Sequence, residues 1–179
     1  MRIGVDVDDV LFPWGYRAHA LCKAAGITNG KQVTQWEAHL DYGVPLQSWL
    51  DAVGPMVDDG SYLAAPYEGV QDALARLQAA GHTIHLVTAR GGFSRGSEIR
   101  QQTIQWLSDW EIPYDALTFS KDKTVVNVDV FIDDSLKNYD ALVAAGVNTY
   151  LVNQPHNGPW FDRRQRVNSF VEFADLLCQ

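Results

Sequence analysis

Apolar positions along this chain fall into two spacings, and their alternation outlines a fold before any residue chemistry is considered. Ile3 and Val5 sit in a short apolar run, as expected of a strand buried on both faces of a parallel sheet. Further runs of strand type cover 83–88, 117–119, 130–132 and 147–152. Between them the spacing becomes helical. Val70, Ala73, Leu74 and Leu77 follow i, i+3, i+4, i+7, which predicts an amphipathic helix over 69–80 closed by Gly81. Other helices are predicted over 98–110 with Ile99, Ile104 and Leu107 inward, over 136–145 closed by Gly146, and over 170–177. Residues 91–97 read as a Gly- and Ser-rich loop. Residues 153–166 read as polar and irregular, with a basic patch at Arg163, Arg164 and Arg166.

From Phe12 to about Pro66 the alternation breaks. A helix over 14–25 ends at Gly26, 28–31 is turn-like, and two short helices follow over 36–42 and 46–57. Pro45 starts the last of these, and it closes near Gly60. Strands alternating with helices indicate the α/β class: a three-layer, Rossmann-like parallel sheet with right-handed crossovers. The main domain is expected over 1–13 and 66–179, with a small helical cap over 14–65 inserted after the first strand. The cap carries Trp14, Tyr16, Trp36, Tyr42, Trp49 and Tyr62, and in so small a unit such aromatics ordinarily form its own core. No internal repeat is present.

Composition narrows the choices. With 179 residues and 46% hydrophobic content the chain can build one such domain with a modest insertion. A net charge of −8 and the lack of a basic run argue against a large nucleic-acid partner, though not against a single nucleotide brought in with its metal. Cys22 and Cys178 form no CxxC pair, which suits free thiols in a reduced, intracellular protein. No signal peptide or membrane-length apolar run is found, so a soluble, cytoplasmic protein without a membrane partner is expected. Oligomeric state is left open, a homodimer included.

Chemistry enters where the first strand ends. Asp6, Asp8 and Asp9 put three carboxylates within four residues, which is costly unless a cation or a reacting group offsets the charge. Ligands of open α/β sheets bind at the carboxyl ends of strands. A turn or helix start is the plain alternative, and an EF-hand loop is a poor fit because its Gly and closing Glu are missing. Three later segments change the balance: the strand His85-Leu86-Val87-Thr88-Ala89-Arg90, the run Lys121-Asp122-Lys123, and Val130-Phe131-Ile132-Asp133-Asp134. Each sits at a predicted strand end. The ordered set Asp-x-Asp, Thr, Lys, Asp-Asp resembles the haloacid dehalogenase-like phosphohydrolases.

That resemblance implies phosphoryl transfer, with a carboxylate attacking phosphorus to give an aspartyl-phosphate. Asp6 is the expected nucleophile and Asp8 the general acid, then the base for the hydrolytic water. Hard oxygen ligands suit Mg²⁺, expected on Asp6, the backbone carbonyl of Asp8, and Asp134, with Asp133 in support. Thr88 would hydrogen-bond a phosphoryl oxygen, and Lys123 would pair with nucleophile and phosphate. For Thr88 a helix cap, and for Lys123 a solvated surface lysine, are the plain alternatives.

The run from Phe119 to Val126, with Ile132-Asp133-Asp134, is further similar to the 5′(3′)-deoxyribonucleotidases, as is the re-entry over 62–69. That family implies Trp14 stacking on a nucleobase, Trp36 lining the base pocket and Arg100 assisting the phosphate. Two positions depart from it. Asp9 stands where the family usually has Gly, and Ala89-Arg90 replaces Ser-Pro after the threonine. Arg90 then either compensates Asp9 or reads another part of the substrate, with Ala89 beside it in the substrate loop. The expected partner is a small phosphate ester, a nucleoside monophosphate first. Another small ester such as a sugar phosphate, or a nucleic-acid 3′-phosphate end, is the alternative of the same chemistry. A non-catalytic binding module is the alternative of another class.

Overall fold

The computed structural model describes residues 1–92, 95–158 and 162–178. Phe93 and Ser94 of the predicted loop, and 159–161 of the irregular stretch, lie outside the described residues. The strands are β1 (Arg2–Val5), β2 (Thr83–Thr88), β3 (Ala116–Phe119), β4 (Val130–Asp133), β5 (Asn148–Val152) and β6 (Arg166–Val167). They form one sheet in the order β3-β2-β1-β4-β5-β6, and every pairing is parallel. The order reverses between β1 and β4. That junction is the switch point at which open α/β sheets bind their ligands.

Helices α4 (Val70–Ala79), α5 (Gly96–Asp109), α6 (Leu136–Ala144) and α7 (Phe170–Leu177) cover the sheet. Strand alternation decides which helix each face receives. Ile3, Val5, Ile84, Leu86, Val130 and Ile132 point to one side, where they meet Leu74 of α4, Trp106 of α5 and Phe173 of α7. Val87 and Phe131 point to the other, against Leu142 of α6. Gly4 belongs to this second face, opposite Phe131, and a Cβ there would lie 2.2 Å from the Phe131 ring. The glycine is what lets that ring lie across the centre of the sheet.

The helical segment holds α1 (Trp14–Ala24), α2 (Ala38–Tyr42) and α3 (Leu46–Val53), then 3-10 turns over Gly54–Val57 and Ser61–Leu63. Its core is split. Cys22, Ala38 and Tyr42 cluster with Trp49, whereas Ala18, Met56 and Tyr62 pack on Ile99 of α5. The indoles of Trp106 and Trp110 donate to the carbonyls of Ala64 and Leu63, at 2.8 and 2.9 Å, and fix the chain where it re-enters the sheet layer.

Three expectations need correction. Ile104 is exposed; the inward stripe of α5 is Ile99, Thr103, Trp106 and Leu107, because the helix starts at Gly96 and its buried face follows the aromatic. The stretch 153–166 ends in an edge strand, β6, paired with β5. Two of the three arginines there have their charge offset: Arg164 pairs with Asp140 and Asp162, and Arg166 with Asp162, while Arg163 is exposed. Among the described residues no helix is long and apolar enough to cross a membrane.

Candidate active site

Asp6 follows β1 directly and its N–H donates to Ile132 O at 3.0 Å, so the β1–β4 ladder holds it at the switch point. Its Oδ1 accepts from Val7 N at 2.7 Å and from Lys123 Nζ at 2.8 Å. Lys123 lies in a 3-10 turn, Lys123–Val125, which the Asp122 side chain caps by accepting from Thr124 N. Its ammonium also donates to Val87 O at 2.5 Å and is buried. Burial pulls that ammonium down, but the charges of Asp6, Asp133 and Asp134 outweigh it and leave Lys123 raised. Thr88, at the tip of β2, is fully buried, and its hydroxyl accepts from Arg90 N at 3.2 Å.

Asp133 and Asp134 close β4. Asp133 accepts from Ser135 N at 2.8 Å and from Asn138 Nδ2, tying it to the start of α6. Burial first, then the charge of Asp6, pushes both carboxyls well above the usual carboxylate range. Asp6 is raised as well, by burial against the opposing pull of Lys123. One oxygen each of Asp6, Asp133 and Asp134 lie within 4.8 Å of one another. Asp134 Oδ1 is buried and has no hydrogen-bond partner among the described residues. Three converging carboxylates with one ammonium between them, and an orphaned oxygen, fit a hard divalent cation.

Asp8 and Asp9 take different partners. Asp8 receives Arg90 Nε at 2.9 Å and NH2 at 2.7 Å on Oδ1, with Nε also 3.1 Å from Oδ2. Arg90 is itself buried, and its guanidinium carbon lies 4.5 Å from the Phe12 ring centroid and 5.0 Å from that of Tyr62. So Arg90 serves Asp8 and does not compensate Asp9. Asp9 adopts φ 57°, the left-handed region that favours the glycine expected there, and Asp tolerates it better than most residues. Both its oxygens accept from Gly15 N, at 2.8 and 3.1 Å, at the start of α1. Burial, then the charge of Asp134, pushes Asp9 up to about 8.

The remaining predicted residues are held by other partners. Trp14 is half-buried between two cores, with its indole N–H 3.4 Å from Tyr62 Oη and its ring 6.0 Å from Trp49. Trp36 is 56% exposed and meets the ring of His156 edge-on at 5.3 Å. Ala89 O accepts from Gly92 N at 3.1 Å. Arg100 is exposed, donates to Gly91 O at 3.2 Å and lies over Phe119.

Sequence reasoning passed over the 3-10 turn Pro155–Asn157, which follows β5. His156 Nε2 is 2.7 Å from Asp134 Oδ2, and Asn157 Nδ2 donates to Asp134 O at 2.8 Å. Gln154 Nε2 donates to Asp9 O at 2.6 Å. The turn therefore clamps both carboxylate loops. Asp9, Asp134 and His156 form a second cluster within 4.8 Å. Burial pulls His156 below the ordinary imidazole value, against the charge of Asp9.

The family model described as 5′ nucleotidase, deoxy (pyrimidine), cytosolic type C matches residues 62–179, well over half of the chain. The chain belongs to that family. Within this nucleotidase family match fall Thr88, Arg90, Arg100, Lys123, Asp133, Asp134 and His156, whereas Asp6, Asp8, Asp9, Trp14 and Trp36 precede it. A curated Chlorobaculum tepidum protein named "Putative 5′(3′)-deoxyribonucleotidase" is 30% identical over 113 residues. The alignment covers 58% of this chain and 55% of that protein, so it spans about half of the relative's length. A haloacid dehalogenase-like family hydrolase from Streptococcus pneumoniae shares the fold with a TM-score of 0.65 at 13% identity, covering 98% of this chain and 97% of its own. So does the D,D-heptose 1,7-bisphosphate phosphatase of B. bronchiseptica solved with magnesium and phosphate, with a TM-score of 0.51 at 16% identity, covering 98% and 97%.

Proposed function

We propose that this nucleotidase-family chain is a Mg²⁺-dependent phosphomonoesterase that dephosphorylates nucleoside monophosphates through an aspartyl-phosphate on Asp6. The observation that carries the reading is the buried Lys123–Asp6 pair set among convergent carboxylates at the switch point. The family match and the magnesium and phosphate of the B. bronchiseptica phosphatase support it. Residues 14–65 act as a small cap that supplies base-binding rings.

Asp6 Oδ1 is held by Val7 N and Lys123, which leaves Oδ2 to attack phosphorus. As the Asp6–phosphorus bond forms, the bond to the leaving oxygen breaks and Asp8 delivers a proton to that oxygen. Asp8 then takes a proton from water, the water oxygen bonds to phosphorus, and the Asp6–phosphorus bond breaks to restore the carboxylate. The Thr88 hydroxyl and the N–H groups after it hold phosphoryl oxygens, with Lys123 and Arg100 supplying positive charge. Mg²⁺, when bound by Asp6, Asp134 and the Asp8 carbonyl with Asp133 behind them, neutralises phosphoryl charge. Arg90 must release one of its bonds to Asp8 for that oxygen to exchange a proton. Trp36, the more exposed indole, offers the base a face, and Trp14, packed between two cores, holds the cap that carries it.

Phosphate release from a panel of nucleoside monophosphates and sugar phosphates, with Mg²⁺ and with chelator, tests this. Asp6→Asn should lower kcat at least about 10³-fold with the protein still folded. Comparable turnover in that variant, or full activity in excess chelator, defeats the mechanism. A preference for sugar phosphates defeats the substrate assignment alone.

A further inference from the structure

His156 touches two parts of the site at once. On one side its Nε2 lies 2.7 Å from Oδ2 of Asp134. On the other its ring meets that of Trp36 in a T-shaped contact, with centroids 5.3 Å apart. The backbone around it is held unusually hard. Gln154 and Asn157 cap the turn reciprocally, and Asn157 Nδ2 donates to both Asp134 O and Val152 O, at 2.8 and 2.7 Å. Arg166 NH2 donates to Asn157 O at 3.1 Å. The His156 ring is thus carried on a turn whose backbone is fixed by its neighbours.

We propose that His156 is a two-sided positioning residue, orienting the Asp134 carboxylate for the cation and Trp36 for the nucleobase. An Asp134 that ligates a cation is ionised and accepts hydrogen bonds, so the imidazole facing it at 2.7 Å carries a hydrogen on Nε2 and donates it to Oδ2. With Oδ2 held, rotation of the carboxylate is restrained, and the buried Oδ1, which has no hydrogen-bond partner among the described residues, is left available to a cation. Trp36 is 56% exposed and stacks its ring in a T-shape with that of His156. That edge-on contact fixes the plane a base would stack on. Only this second half rests on the nucleotide reading; the first concerns the cation alone.

Two substitutions separate the halves. His156→Gln keeps an N–H donor near the position of Nε2 and removes the ring. His156→Phe keeps the ring for Trp36 and removes the donor. Mg²⁺ affinity of each is measured by titration calorimetry without substrate. KM is measured at saturating Mg²⁺ for a nucleoside monophosphate and for p-nitrophenyl phosphate, after thermal unfolding has shown each variant folded. His156→Phe should weaken Mg²⁺ about tenfold or more and leave both KM values near wild type. His156→Gln should keep Mg²⁺ affinity within about twofold. It should raise the nucleotide KM about two- to tenfold, with that for p-nitrophenyl phosphate unmoved. If both variants shift both readouts together, His156 is merely structural, and if neither shifts either, it positions nothing; both results overturn the proposal. A wild-type enzyme without nucleotide preference removes the substrate reading and the Trp36 half. The calorimetric comparison still decides the Asp134 half.

Discussion

Asp9→Asn offers a sharp test of how this site is charged. Asp9 is buried beside Asp134, and its carboxyl is pushed up from 3.8 to about 8. Between those values the folded protein keeps a proton that the unfolded chain has released, so folding becomes less favourable as pH rises. The slope is about 1.4 kcal/mol per pH unit for one such group. Asparagine cannot titrate, tolerates φ 57° as well as Asp does, and its side-chain oxygen can still accept from Gly15 N. From pH 5.5 to 7.5 the metal-free Asp9→Asn protein should therefore gain about 3 kcal/mol on wild type. Asp133 and Asp134 are raised too and give both proteins a residual fall in the same direction. His156 is lowered, so it adds a rise with pH below about 6.5 that largely cancels in the difference. Lys123 is raised above 10.5 and contributes nothing in this window. Urea unfolding at pH 5.5, 6.5 and 7.5 in chelator measures the difference, and excess Mg²⁺ should flatten the wild-type fall. Parallel pH profiles for the two proteins in chelator would show that Asp9 is ionised throughout and refute the reasoning.

Three further substitutions test the same geometry. Arg90→Met should cost about 2–3 kcal/mol of stability, less than a fully buried pair because Asp8 keeps 21% side-chain exposure; it should also slow alkyl esters at least about tenfold more than p-nitrophenyl phosphate, whose leaving group needs little acid help, whereas equal losses would separate Arg90 from proton transfer. Trp14→Ala should lower stability by about 2–3 kcal/mol and harm every substrate alike, because the ring fills two cores; Trp36→Ala should stay within about 0.5 kcal/mol of wild type yet raise the nucleotide KM about tenfold, and the reverse pattern in unfolding and KM measurements would exchange their roles.

The fold was legible wherever periodicity carried it. Val70, Ala73, Leu74 and Leu77 read as one face and are all buried on α4, and residues 83–88 coincide with β2. The failure at Ile104 is instructive: Ile99, Thr103, Trp106 and Leu107 form the buried stripe, and a polar Thr within it hides the period. Thr103 is tolerated there because its hydroxyl donates to Ile99 O at 2.7 Å. The edge strand β6 is two residues long, too short for any period to register.

What the sequence hid in the site was partnership. It shows Asp8, Asp9 and Arg90 as charges, but 82 positions separate Arg90 from Asp8, and the fold brings the guanidinium to Asp8 among the rings of Phe12, Tyr62 and Trp106. His156 was hidden for another reason, since Pro155–Asn157 is held by side-chain bonds from Gln154 and Asn157 rather than by an apolar pattern. Topology supplies the missing signal. In the order β3-β2-β1-β4-β5-β6 the tip of β5 lies one strand from that of β4, about 4.8 Å away. A residue emerging just after Val152 is thus as close to Asp134 as residues after Thr88 are to Asp6, and it belongs among the candidates on the strand-tip rule alone. Applied also to the strands that flank the β1–β4 pair rather than to the recognised motifs only, that rule selects Gln154, His156 and Asn157, and each of the three bonds one of the two carboxylate loops.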